Sequence, residues 1–127
     1  MPMMQFSVAP WRILSEDNLR ICSKMAYLHV KMGKYIFDFA KNASKTGEPI
    51  IRHMEYVFPN QGFALCKNQF MLGEKYLVAP ILTSGNVREV ILPKGKWKDD
   101  LGKIHKGGNR ISIEASIERL SYFERIQ

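Results

Sequence analysis

Twelve carboxylates, three histidines and two cysteines are the side chains of this 127-residue chain that could move a proton, attack carbon or hold a metal. Their spacing argues against each use in turn. Glu16 and Asp17 follow Ser15 as the acidic first turn of a helix, Asp38 lies on a lysine-bearing helical face, and Asp99-Asp100 reads as a turn. His29, His53 and His105 are isolated from one another, so no paired metal-ligand spacing exists. Cys22 falls on an apolar helical stripe, where cysteine acts as a small hydrophobe, and no arrangement of positive neighbours marks either Cys22 or Cys66 as a reactive thiol. Two cysteines are also too few for a disulfide framework. The expected catalytic set, metal set and cofactor set are therefore all none.

These residues must be positioned by two kinds of element. Ser15 is a suitable N-cap, Gly47 a suitable stop, and Pro49 forbids resumption, which predicts a long helix between them. Leu19, Cys22, Ala26, Val30, Gly33, Phe37 and Ala40 repeat at helical spacing, and so do Ile21, Met25, Leu28, Met32, Tyr35 and Phe39. Such a helix is apolar around more than half its circumference and needs packing partners on several sides. A break near Gly33 is expected, because glycine weakens a helix interior by about 1 kcal/mol.

Beyond Gly47 the pattern turns extended. Pro49-Ile50-Ile51 fits a short buried parallel strand, Pro59–Gly62 a turn, Gln69–Leu72 a helical turn capped by Asn68, and Tyr76–Ala79 a strand. Val87–Leu92 and the segment starting at Trp97 read as further strands. Lys103–His105 and Arg110–Glu114 read as a hairpin across Gly107-Gly108-Asn109, and Leu120–Ile126 as a closing strand. Helix followed by strands gives an α+β class with a boundary near residue 75.

The formal charge of +7 raises the question of an anionic partner. Residues 1–53 carry 8 Lys/Arg against 4 Asp/Glu, and residues 54–127 carry 11 against 8, so the excess is spread and interleaved with acids. That distribution favours a solvated surface over nucleic-acid binding. No apolar run approaches the ~18–20 residues of a membrane span. The opening MPMMQFSVAPW lacks the basic and cleavage regions of a signal peptide, and localisation stays unassigned.

Several segments together resemble one enzyme family. Gln69-Phe70-Met71-Leu72-Gly73 and Tyr76-Leu77-Val78-Ala79-Pro80 are similar to a D-Q-F-M-L-G…L-V-A-P signature, with Asn68 where the family has Asp. Pro49-Ile50-Ile51-Arg52 resembles a strand that often reads x-x-R-P, with His53 in place of the proline, and Arg88–Trp97 resembles R-x-V-Y-L-P-x-G-x-W. The family is family 31 of the glycoside hydrolases, and the likeness runs over nearly the whole chain.

The resemblance implies the last elements of a (β/α)8 barrel over 1–74, followed by a proximal C-terminal antiparallel β-sandwich over 75–127. It implies a parent that hydrolyses α-linked glycosides with retention, a reaction needing two carboxylates about 5–5.5 Å apart. Neither aspartate motif of the family occurs here, so this portion is expected to be structural and inactive alone. Its carbohydrate partner is reached through the missing barrel. Glu55 is the only acid near where barrel sites form, and Arg52 and His53 lie at the end of the same strand. Trp11 and Arg12, in a loop resembling the family's sugar-contacting loop, are the candidate substrate-binding residues: an apolar ring face and fixed donors. Leu14 stands where the family's histidine would fall. The competing expectation is a stand-alone non-catalytic carbohydrate-binding or interaction module. In isolation, the apolar helix faces offer a route to a homo-oligomer.

Overall fold

Ser15 begins the long helix as expected: its Oγ accepts a hydrogen bond from the backbone N–H of Asn18 at 3.4 Å. This helix, α1 (Glu16–Thr46), ends where Gly47 turns left-handed at φ 76° and its N–H reaches Ala43 O at 2.9 Å. The computed structural model, which describes residues 4–127, shows two units: one ends at Ile50, and the other runs from Ile51 to Gln127. In the first, a single 3-10 turn over Pro10–Arg12 precedes α1. Contrary to expectation, α1 is unbroken through Gly33 over 31 residues. Glycine weakens the helix there without removing a hydrogen bond, and flanking pairs such as Lys34–Asp38 at 2.9 Å support the turns around it. No residue of α1 is fully buried, and Tyr27, Val30 and Phe37 stand largely exposed.

The second unit is built from β1 (Ile51–Arg52), α2 (Met54–Val57), β2 (Phe70–Leu72), β3 (Tyr76–Ala79), β4 (Val87–Leu92), β5 (Lys96–Asp99), β6 (Ile104–Lys106), β7 (Asn109–Glu114) and β8 (Ser121–Arg125). Six strands form one sheet in the order β1-β2-β3-β8-β5-β6, and β4 and β7 form a second. Every described pairing is antiparallel. Alternation explains the burial. On β5, Trp97 and Asp99 turn inward while Lys96 and Lys98 face out, and on β8 Ser121 and Phe123 turn inward. Trp97, Phe123, Met71, Leu77, Val90 and Leu92 fill the core, with Met54, Phe58 and Phe63 added from α2 and the loop after it. The Phe58 ring meets Trp97 edge-on at 6.0 Å, and the Trp97 indole N–H donates to Pro93 O at 2.8 Å. Trp97 is thus core.

Three local expectations are corrected. Pro49–Ile51 is not a buried parallel strand: only Ile51–Arg52 is extended, it pairs antiparallel with β2, and Ile51 is exposed. Its buried side chain is Arg52, whose register partner is Met71. Gln69–Leu72 is not helical. A four-residue segment gains little from helix nucleation, whereas β3 lies one turn away and supplies a full ladder, Phe70↔Val78, Met71↔Leu77 and Leu72↔Tyr76.

The expected hairpin across residues 107–109 is instead a crossing between sheets: β6 pairs with β5, and β7 pairs with β4. Gly107 donates to Gly95 O, just before β5, and Gly108 to Leu92 O, at the end of β4, both at 2.8 Å, so consecutive glycines bond to the two ends of the β4–β5 connection. A Cβ on Gly107 would lie 1.8 Å from Pro93 O, so only glycine lets the chain cross there.

Candidate functional site

The two candidate sugar-contacting residues lie on the 3-10 turn of the first unit. Trp11 is 72% exposed and Arg12 is exposed, and among the described residues Arg12 forms no ion pair. Pro10 sets the turn, and the N–H of Leu14 closes it onto Pro10 O at 3.0 Å. An exposed indole and a guanidinium one residue apart can offer a ring face and planar donors to a ligand.

Glu55 is committed elsewhere. Its two carboxylate oxygens accept the backbone N–H groups of Asn60 at 2.8 Å and Phe63 at 2.9 Å, and so hold the loop that delivers Phe63 to the core. His53 caps α2, its Nδ1 accepting from Glu55 N at 3.2 Å. Arg52, buried, donates to Glu74 in the β2–β3 turn at 3.1 Å. The structure therefore joins Arg52 with Glu74, and Glu55 with its own loop, without assembling an acid–base pair from them.

Two polar pairs escaped sequence reasoning. His105 Nε2 and Asp99 Oδ2 lie 2.8 Å apart, both nearly buried, with the imidazole edge-on to Phe123. Asp99 Oδ1 also accepts the N–H groups of Leu101 at 3.0 Å and Lys103 at 2.8 Å. Burial pushes the Asp99 carboxyl up, but the hydrogen bonds from His105 and from these two amides outweigh it and hold the carboxyl below the ordinary range. Arg119 clamps Asp100 through two bonds of 2.8 and 2.7 Å and also donates to Glu114 O, which ties the β7–β8 loop to the β5–β6 turn. The bond to Asp100 raises the Arg119 guanidinium further above its ordinary value. The only hint of either pair in the sequence is period two: Asp99 and His105 each fall on the inward side of a short strand.

Both pairs act in structure. Asp99 shapes a turn, and Asp100 receives an arginine fork, so neither carboxylate is free to attack or to donate a proton. Among the described residues, no three of His, Cys, Asp and Glu come together as a metal site. No helix of the structure is long and apolar enough to cross a membrane.

The class of fold is thus α+β: a long helix followed in the chain by an antiparallel two-sheet β-module. Residues 47–126 match the Glycosyl hydrolase family 31 C-terminal domain. The chain is 36% identical over 107 residues to the myogenesis-regulating glycosidase of Mus musculus, covering 82% of this chain and 15% of that protein. It is 33% identical over 123 residues to an isomaltosyltransferase of Sporosarcina globispora, covering 91% of this chain and 11% of that one. A crystal structure of a GH31 alpha-xylosidase from a soil metagenome, complexed with xylose, superposes with a TM-score of 0.83 at 34% identity, over 88% of this chain and 17% of its own. This chain belongs to glycoside hydrolase family 31. It spans 15% or less of the length of these two relatives.

Proposed function

We propose that this chain serves as the C-terminal portion of a longer retaining α-glycoside hydrolase, and that it is structural and inactive by itself. In that reading residues 1–74 are the end of a (β/α)8 barrel and residues 75–127 the proximal sandwich. The observation that carries it is the family match over 47–126 in a chain whose one acid near the expected barrel site, Glu55, is engaged in holding its own loop. β1 and β2 are hydrogen-bonded to one another and β2 to β3, so the segment before residue 75 is fastened to the sandwich by strand pairing. Through that joint the sandwich would hold the last barrel strand in place. Trp11 and Arg12 would then contribute a ring face and donors to a sugar bound in the complete barrel. The same surface could meet carbohydrate only when the barrel supplies the two missing carboxylates and the remaining walls.

The purified chain, assayed with 4-nitrophenyl α-D-glucopyranoside and α-D-xylopyranoside, is expected to release no nitrophenol above the enzyme-free rate. Turnover that persists through repeated purification would contradict the reading. A second reading, a stand-alone carbohydrate-binding or interaction module, is favoured by one observation: Ile51–Gln127 has a core of its own, formed by the two sheets and the loop over them. Its test is maltotriose or xylose titration of the same chain, where saturable binding favours the module.

A further inference from the structure

The two sheets of the second unit are unequal: one has six strands, and the other, β4 with β7, has two. A two-stranded ribbon leaves unpaired main chain along both outer edges. On β4 that edge is closed from within. The Gln69 carboxamide bonds both the N–H and the C=O of Ile91, so Ile91 turns its main chain away from β7. Its register partner Arg110 therefore turns away from β4, and by period two so do Ser112 and Glu114. The bond from Ala115 N–H to Asn86 O at 2.9 Å brackets the Val87–Glu114 pair in the same phase.

The outer edge of β7 thus presents the main chain of Arg110, Ser112 and Glu114, all three exposed, and among the described residues no strand pairs with it. Glu114 O accepts from Arg119 at 2.6 Å, which leaves that carbonyl a second lone pair. Natural edges are guarded by charges that repel a copy, or by proline. β7 has neither device. It reads Arg110-Ile111-Ser112-Ile113-Glu114, with opposite charges two residues either side of Ser112. A twofold interface must be self-complementary, and this strand is. Laid antiparallel against its own copy with Ser112 on the axis, it sets each Arg110 opposite Glu114 of the partner subunit. The Glu114 carboxylate makes no hydrogen bond or ion pair among the described residues. Arg110 uses one nitrogen on Glu89, at 2.9 Å, and keeps its other donors.

We propose that β7 pairs edge to edge with β7 of a second copy of this chain, giving one four-stranded sheet in the order β4-β7-β7-β4. Arg110, Ser112 and Glu114 would supply the hydrogen-bonded pairs, with an Arg110–Glu114 ion pair closing each end. The pairing involves no residue of α1, and it does not depend on the activity proposed for the parent.

The test is amide hydrogen exchange of the full chain, read by NMR beside sedimentation equilibrium from micromolar to millimolar protein. A monomer–dimer equilibrium is expected, in which the amides of Arg110, Ser112 and Glu114 become protected as the dimer fills. Those of Ile111 and Ile113, already directed at β4, are expected to change less. Reversing one charge, by Arg110→Glu or by Glu114→Arg, opposes like charges at both ends of the pairing and is expected to weaken dimerisation at least about tenfold. Arg110→Glu/Glu114→Arg together restores opposite charges and is expected to return the affinity to within about threefold of the parent chain. All these positions are exposed, and amide dispersion checks the fold of each variant. A chain that stays monomeric, a dimer whose added protection lies on α1 instead of these three amides, or a double variant no better than the single ones would each overturn the proposal.

Discussion

The Gln69 carboxamide takes the place of a missing strand beside Ile91: its Nε2 donates to Ile91 O at 2.7 Å, and its Oε1 accepts from Ile91 N at 3.0 Å. Gln69 is 3% exposed, so both Ile91 groups are satisfied inside the protein by one side chain. This clamp fixes the end of the 58–69 loop to β4, next to Arg88, whose guanidinium donates to Asn68 O. Burial lowers that guanidinium from its ordinary value.

Gln69→Leu keeps the volume and removes both bonds, stranding a buried N–H and a buried C=O. Each such group costs about 1–3 kcal/mol, so the variant, which strands two, is expected to lose about 2–6 kcal/mol. Urea unfolding followed by Trp97 fluorescence reads it. A loss below about 0.5 kcal/mol would show that the loop does not need the clamp.

Two glycines make a matched comparison. Gly107→Ala drives a methyl into Pro93 O and is expected to cost more than about 3 kcal/mol or prevent folding of the second unit, because the Pro93 main chain and the buried Trp97 indole leave it little room. Gly33→Ala, with nothing within 4 Å of the added methyl, is expected to raise the stability of α1 by about 1 kcal/mol. Thermal melts by circular dichroism at 222 nm separate the two outcomes.

The Asp99–His105 contact makes stability depend on pH at the acid end. The Asp99 carboxyl is held below its ordinary value of 3.8, so its contribution is fully present above that pH and is lost as pH falls through the lower folded value. Asp99→Asn is expected to cost about 1–3 kcal/mol at neutral pH. The gap to the parent chain should narrow only below about pH 4, as the parent's own carboxyl protonates. Urea midpoints of both proteins between pH 7 and pH 2 measure it. A gap independent of pH would contradict the reading that the folded protein holds the Asp99 carboxyl below its ordinary value.

In the proposed complete enzyme, Trp11→Ala and Arg12→Ala are expected to lower kcat/KM about tenfold each, corresponding to about 1.4 kcal/mol of lost sugar contact. Both residues are exposed, so thermal stability should stay within about 2 °C of the parent. Unchanged kinetics would remove both from the substrate site.

What the sequence made legible follows from how local each signal is. Ser15 and Gly47 set the ends of α1 because caps act within one turn, and Val87–Leu92 emerged as β4 because Pro93 ends it. Gly33 misled because a propensity of about 1 kcal/mol cannot outweigh thirty residues of ladder. The segment at Gln69–Leu72 misled because its conformation is decided by β3, four residues further on. The crossing at Gly107 is decided by Pro93, fourteen residues back. Asp99 reads as part of a turn and His105 as isolated, because their pairing is decided by β5 and β6 being neighbours.

The central claim is that these residues work as the end of a longer family 31 enzyme. Sequencing the transcript that encodes Met1, and reading the frame upstream of it, tests that claim most directly. The account predicts an open frame continuing into earlier barrel strands that bear two aspartates. An in-frame stop directly before Met1, with a translation start there, would contradict it and leave the stand-alone module as the function to pursue.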